Sequence, residues 1–387
     1  MPRAGNGHSF DRVRITIPST TVALALLATG LVSCSTTGHD PATPEPDTAL
    51  SEAAAAVDRN LTELVSSGAL VGGEAVLRQG TELIDLTAGL ADADMGTPYP
   101  EGSHTRIASV TKVFTSAMIL QLVDEGSVGL DDPVEDHLPG LLDGEGIEPD
   151  RITVRQLLRH ESGLPEGIPP TDPTTVLTPR ELMDRTEDQP AQFPPGEQMR
   201  YTNMNYLVLG YLIEEVTGEP YAEELNRRIV EPLGLTGTLL PEPGDVTLPA
   251  PAPRGHRAGD DGWTDVTEQE PSQLYASGGI VSTGDDLDRF VLALSAGEIV
   301  PPELLTEMRE TVPMPDVPGV EYGLGLMRLP VSCDVTVWGQ AGDVPGFQTM
   351  VGTDGDRAIG IQFDQGAGAE LGPEQLLGLL DAAFCPA

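Results

Sequence analysis

The spacing of hydrophobic and polar residues changes character along the chain. From Asp47 to Leu64 apolar residues recur at helical spacing through an Ala run, which predicts a helix. Gly73–Leu77 and Leu83–Leu86 then read as two short strands across a turn at Gln79-Gly80. A long amphipathic helix is expected from Ser109. Val113, Met118, Ile119, Leu122 and Val123 would form its apolar stripe and Gly126 its stop. From about 130 to 265 the pattern is helical but broken by Pro and Gly, with Ile152–Leu158 and Tyr206–Val216 the clearest helices. Residues 240–262 are acidic and rich in Pro and Gly, which predicts a long surface loop. After Ser277-Gly278-Gly279 comes a helix from Gly284 to Ala296. Strand-like runs follow near 321–328, 335–338, 347–351 and 358–363, with a final helix. This order predicts an α+β body interrupted by an all-helical insertion at about 130–265.

The N-terminus reads as an export signal over residues 1–33. Arg3, Arg12 and Arg14 precede an apolar run from about Thr20 to Val32. That run is shorter than the roughly 20 residues a spanning helix needs. Leu31-Val32-Ser33-Cys34 resembles the lipobox of bacterial lipoproteins, which implies cleavage before Cys34 and lipidation there. An ordinary secretory signal with a chance Cys is the alternative. Residues 34–48 are small, polar and Pro-rich, as a tether would be, and 49–387 form the folded domain. The expected location is extracellular, lipid-anchored to the outer face of a bacterial cytoplasmic membrane.

Charge narrows the partners. The chain has 21 Lys+Arg against 61 Asp+Glu, a formal charge of −40. No basic face for nucleic acid is available, and charge would not draw the protein to anionic lipid. Membrane contact is therefore expected only through the lipid anchor. Of the 21 basic residues only Lys112 is a Lys. Arg does not deprotonate in proteins, whereas a buried Lys can become a base. Export would leave Cys333 and Cys385 in an oxidising place, where they either pair or stay as two buried thiols.

Two short motifs carry candidate chemistry. In Ser109-Val110-Thr111-Lys112 the hydroxyl and amine lie on one helical face. A desolvated Lys there could take the Ser proton; the plain alternative is a helix cap beside a solvated Lys. Tyr201-Thr202-Asn203 sits between the loop Phe193–Glu197 and the helix at Tyr206. The Tyr could relay protons and the Asn could hold a substrate carbonyl, or both could be packing residues. No G-x-S-x-G or H-E-x-x-H occurs. His160 reads as a turn and packing residue.

In combination these motifs resemble the serine β-lactamase and D-alanyl-D-alanine carboxypeptidase superfamily, on its class C side. The resemblance runs from about residue 50 to the end. It includes His160-Glu161-Ser162-Gly163-Leu164-Pro165, Gly218-Glu219-Pro220-Tyr221, Pro232-Leu233-Gly234-Leu235 and Tyr322-Gly323-Leu324-Gly325-Leu326. It implies an antiparallel sheet flanked by helices with a helical domain inserted. Ser109 would form an acyl-enzyme, Lys112 and Tyr201 would jointly move protons, and water would release the acyl group. The N–H groups of Ser109 and Asp343 would form the oxyanion hole. The resemblance also favours a disulfide between Cys333 and Cys385, and implies no cofactor or metal.

The third motif departs from that pattern. Lys or His, then Thr, then Gly is usual; here Gln340-Ala341-Gly342-Asp343 stands instead. Gln340 lacks the charge, Ala341 the hydroxyl, and Asp343 adds a negative charge where a substrate carboxylate would lie. Met327 stands where an Arg would help, with Arg328 one residue off and expected on the other face. Gln340, Gly342, Asp343 and Asn203 are the expected substrate-binding residues. The leading expectation is a D-alanyl-D-alanine carboxypeptidase-like peptidase or amidase on a small-molecule or peptide substrate, cell-wall peptide included. The rivals are a class C-like β-lactamase or esterase, and a penicillin-recognising surface protein without turnover.

Overall fold

The structure is a computed structural model that describes residues 48–167, 172–185, 189–259, 262–365 and 371–386. The expected signal and Cys34 lie outside the described residues.

Helix α1 (Thr48–Ser66) leads into strands β1 (Leu70–Gln79), β2 (Glu82–Asp92) and the short β3 (Thr97–Pro98). Helix α2 (Thr111–Asp124) follows, then the insertion with its longest helix α3 (Asn203–Thr217), then α4 (Gly284–Ser295). The chain returns through β4 (Val312–Pro313), β5 (Glu321–Tyr322), β6 (Met327–Leu329), β7 (Val337–Val344), β8 (Phe347–Thr353) and β9 (Arg357–Gln365), and ends in α5 (Pro373–Phe384). These nine strands form one sheet in the order β3-β2-β1-β9-β8-β7-β6-β5-β4, every neighbouring pair antiparallel.

The two faces of the sheet follow from the two-residue period of its strands. Ala75 and Leu77 on β1, with Ile359, Ile361 and Phe363 on β9, point to one side. There they meet Leu50, Val57 and Leu61 of α1 and Leu379, Leu380 and Ala383 of α5. On the other side lies α4, and Gly360 lets it come close: a Cβ there would sit 2.8 Å from the Gly284 carbonyl oxygen. Ala in place of Gly360 would push helix and sheet apart.

Helix α2 differs from expectation in one respect. The pattern predicts an amphipathic helix, but the residues from Thr111 to Leu120 are all buried. The inserted segment covers the side that would otherwise face water. Its polar residues are satisfied internally: Thr115 Oγ1 lies 2.7 Å from both the Tyr221 hydroxyl and the Ala276 carbonyl, and Ser116 Oγ 3.0 Å from the Tyr206 hydroxyl.

The insertion is not all-helical. Its helices are short, apart from α3, and the stretch expected as surface loop contains a hairpin of His256–Gly259 with Gly262–Asp265. His256 is buried there. Its backbone N–H donates to Asp364 Oδ1 at 2.9 Å, and its ring Nδ1 lies 2.5 Å from Oδ2, tying the hairpin to β9. Polarity hid this strand, because His256 points inward and is paired with the buried Asp364.

Cys333 and Cys385 lie at bonding distance, with Cα atoms 5.8 Å apart and a sequence separation of 52. The expected outcome of thiol titration on the denatured, unreduced domain from residue 36 is no free thiol, and two after reduction. Loss of a bridge closing so long a loop should cost roughly 2–4 kcal/mol in a denaturant titration.

Candidate active site

Ser109 sits in a tight turn, Ala108–Val110, directly before α2 rather than inside it. Ala108 has φ +47°, a left-handed backbone that costs a non-Gly residue about 1–2 kcal/mol. The neighbouring β7 holds the turn in place. Strand β6 pairs with β7 only as far as Gly339, so the edge beyond it is open to the turn. At Gly342 a Cβ would strike the Ile107 carbonyl oxygen and lie 2.7 Å from the Ser109 nitrogen. Only Gly allows this approach.

Lys112 lies one helical turn on and is fully buried. Its Nζ is 3.1 Å from Ser109 Oγ, 2.8 Å from Asn203 Oδ1 and 2.7 Å from the Ser277 carbonyl oxygen. Burial lowers its pKa to about 7, opposed by the nearby Glu166 carboxylate. The Lys is therefore about half neutral at neutral pH.

Tyr201 completes the group. Its hydroxyl hydrogen-bonds Ser109, and burial pushes the phenol above its usual range. The ring stacks on His160 with centroids 4.2 Å apart, and Lys112 Nζ is 4.9 Å from its centre. His160 is the support beneath Tyr201. Its Nδ1 accepts from the Thr202 N–H at 3.3 Å and from Asn205 Nδ2 at 3.1 Å, which places the ring proton on Nε2, 3.2 Å from the Tyr322 hydroxyl. Burial, helped by the Lys112 charge, holds this imidazole well below the usual range, so it stays neutral. His160 is thus a packing residue, as expected.

Asn203 is the first residue of α3, whose N-cap Thr202 accepts from the Met204 N–H. Its Oδ1 meets Lys112, while its Nδ2 and backbone N–H donate to Glu166 at 3.1 and 2.8 Å. Glu166 has no counterpart among the residues expected from sequence. It directly follows the His160–Pro165 turn, and its position in an acidic chain concealed it.

The third motif divides. Ala341, Gly342 and Asp343 line a cavity of about 510 Å³ with Ser109, Tyr201 and Asn203. Gln340 does not line it, contrary to expectation. It is fully buried on the other side of β7, with Nε2 3.2 Å from the Tyr322 hydroxyl and 3.3 Å from the Gly325 carbonyl oxygen. Its Oε1 accepts the Ala341 N–H at 3.0 Å, so that N–H turns away from β8. N–H direction alternates along a strand, so Asp343 N–H faces the same open edge as Ala341 N–H, the edge that meets Ser109.

The far end of the cavity is apolar: Met314, Val317, Val320, Met327, Leu329, Met350, Leu376 and Leu377. Among the described residues its charged lining residues are Asp316 and Asp343, with no Lys, Arg or His. Met327 faces inward as expected, while Arg328 is exposed and pairs with Glu321 at 3.2 Å.

Residues 57–363 match the β-lactamase family. The chain belongs to that family. Its members include amidases and esterases that act by acyl transfer to water. Among solved structures, a D-stereospecific amidohydrolase from Streptomyces sp. is 32% identical, with a TM-score of 0.78 over 86% of this chain and 99% of that one. Esterase EstB of Burkholderia gladioli is 29% identical over 66% of this chain and 73% of its own length. Protein flp of Staphylococcus aureus is 32% identical over 42% of this chain. The chain spans only about 33% of that relative's length.

The close contact of β7 with the Ser109 turn gives a direct test. Gly342→Ala should lower kcat on any substrate by about 100-fold, because displacement of the turn by a fraction of an ångström misplaces the hydroxyl. Steady-state kinetics beside far-UV circular dichroism would check that the fold persists while activity falls.

Proposed function

We propose that the protein is a serine amidase that cleaves amides, and esters of similar shape, whose acyl part is apolar and neutral or positively charged, D-aminoacyl amides foremost. The observation that carries this is the cavity beside Ser109: an apolar end, two carboxylates and, among the described residues, no cation in its lining. The D-stereospecific amidohydrolase and the esterase among its relatives support the same class. Penicillins and D-Ala-D-Ala peptides carry a carboxylate that would meet Asp343 without a compensating charge. The carboxypeptidase and β-lactamase readings are therefore the weaker ones.

In this reading Ser109 Oγ attacks the substrate carbonyl carbon and its proton passes to neutral Lys112. The oxyanion that forms accepts hydrogen bonds from the N–H groups of Ser109 and Asp343; in such sites one donor is worth about 3 kcal/mol. The Lys112 ammonium passes this proton through the Tyr201 hydroxyl to the leaving amine as the carbon–nitrogen bond breaks, which leaves the amine of Lys112 neutral and the phenol protonated. Water then attacks the acyl-enzyme and gives a proton to neutral Lys112, which returns it to Ser109 Oγ as the ester bond breaks, so that the acid is released with Ser109 and Lys112 restored. Lys112 is the better base of the pair, since burial favours the neutral amine and disfavours the phenolate. Export and anchoring through Cys34, inferred from the N-terminal pattern, would place this chemistry outside the cell.

Intact-mass measurement with a fluorophosphonate tests the nucleophile: one adduct is expected on the wild-type protein and none on Ser109→Ala. Specificity is tested with D-phenylalanine p-nitroanilide against its N-succinyl form, which exchanges an ammonium for a carboxylate. At least about a 10-fold lower kcat/KM is expected for the succinyl compound. A persistent penicillin adduct would overturn the reading of Asp343. The pH profile is a further expectation. kcat/KM should rise with pH as Lys112 loses its proton, reach half its plateau near pH 7, and stay high above it.

A further inference from the structure

We propose that Glu166 is a positioning residue: it holds the Asn203 amide in one orientation and so keeps the lone pair of neutral Lys112 aimed at Ser109. The inference rests on the reading of Ser109 as nucleophile and Lys112 as base.

A neutral amine has two N–H groups and one lone pair. Three polar atoms surround Lys112 Nζ: the Ser277 carbonyl oxygen at 2.7 Å, Asn203 Oδ1 at 2.8 Å and Ser109 Oγ at 3.1 Å. The carbonyl can only accept, so it takes one N–H. The amide oxygen takes the second. The lone pair is then left for the Ser109 hydroxyl, the one neighbour able to donate. This is the arrangement proton transfer from Ser109 requires.

The arrangement fails if Asn203 turns over. Its NH₂ would then face Lys112 and compete with Ser109 for the lone pair. Glu166 opposes that flip. One carboxylate oxygen accepts from Asn203 Nδ2 at 3.1 Å and the other from the Asn203 backbone N–H at 2.8 Å. A carboxylate only accepts, so an amide oxygen turned toward it would be repelled. The titratable groups around Lys112 are Glu166, the neutral His160, and the phenols Tyr201 and Tyr206, whose ring centres lie 4.9 and 5.5 Å from Nζ. Of these Glu166 alone supplies negative charge, which also favours the ammonium form. The competing explanation is that Glu166 merely caps the first turn of α3.

The test uses the full chain and a fluorophosphonate, so that no substrate need be known. Ser109 Oγ bonds to phosphorus, fluoride leaves, and the Ser109 proton passes to Lys112. The labelling rate is measured against pH for wild type, Glu166→Gln and Glu166→Asp, with circular dichroism as the check on folding. Glu166→Gln, nearly the same shape, should label between about 10-fold and 100-fold more slowly, because Gln accepts either face of Asn203. Its acid limb should also move to lower pH, since the charge that favoured the ammonium is gone. Glu166→Asp keeps the charge and should restore much of the rate. A Gln variant that matches wild type in rate and limb but melts at a lower temperature would reduce Glu166 to a cap and overturn the proposal. So would unchanged labelling with a raised KM for ammonium-bearing substrates alone, which would make Glu166 a substrate contact. A wild-type protein that fails to label at Ser109 would instead remove the hydrolase reading, and this proposal with it.

Discussion

The burial of one amine organises much of this molecule. Taking a Lys out of water is costly in its charged form, and the protein meets that cost by letting the group lose its proton near neutral pH. Burial must therefore be complete, and no single element can supply it. Helix α2 brings Lys112, the turn before it brings Ser109, α3 brings Asn203, and the segment beyond the insertion brings the Ser277 carbonyl. The insertion has to close over the sheet domain before the site exists. The buried Thr115 and Ser116 of α2, partnered with Tyr221 and Tyr206 of the insertion, are the structural consequence.

A second constraint acts at the sheet edge. The left-handed backbone at Ala108 is unfavourable alone and persists because β7 packs against it. That contact requires β6 to stop early, leaving β7 with an unpaired edge, and requires Gly at 342. Strain, strand length and one glycine together set where the Ser109 and Asp343 N–H groups point. Gln340 of the same motif is a buried prop that joins Tyr322 and His160 beneath Tyr201.

Much of this was legible in the sequence, and the parts that were not share a cause. Short apolar runs marked β1, β2 and the strands from β7 onward, and helical spacing marked α1, α3, α4 and α5. Helix α2 looked amphipathic because its polar residues are satisfied by distant partners, a fact no local pattern contains. The strand at His256 was hidden for the same reason, its partner Asp364 lying 108 residues away. Ser109, Lys112, Tyr201 and Asn203 were legible because their spacing within each motif is short. Glu166 was not. It is an exposed carboxylate in a chain with 61 acidic residues, and only the hydrogen bonds to Asn203 distinguish it. Gln340 was expected to bind substrate because motif position locates a residue on a strand but not what its side chain finds there.

The acidity of the chain bears on the cavity in a way that composition alone does not show. Two carboxylates near a pocket are unremarkable where acids outnumber bases so heavily. More telling is the lack of an Arg. The chain has 20 of them, and Arg328, which stands between the lining residues Met327 and Leu329, is turned outward to Glu321 while Met327 faces in. A cavity of this sign treats the two ends of an amide hydrolysis differently. The substrate, neutral or ammonium-bearing, enters without repulsion. The product acid carries a new carboxylate beside Asp343, and like charges in a partly dry cleft repel strongly. On the proposed reaction, the same residue whose N–H stabilises the oxyanion would through its side chain favour release of the product. Selection against carboxylate substrates and clearance of a carboxylate product would then be one electrostatic property of a single strand end.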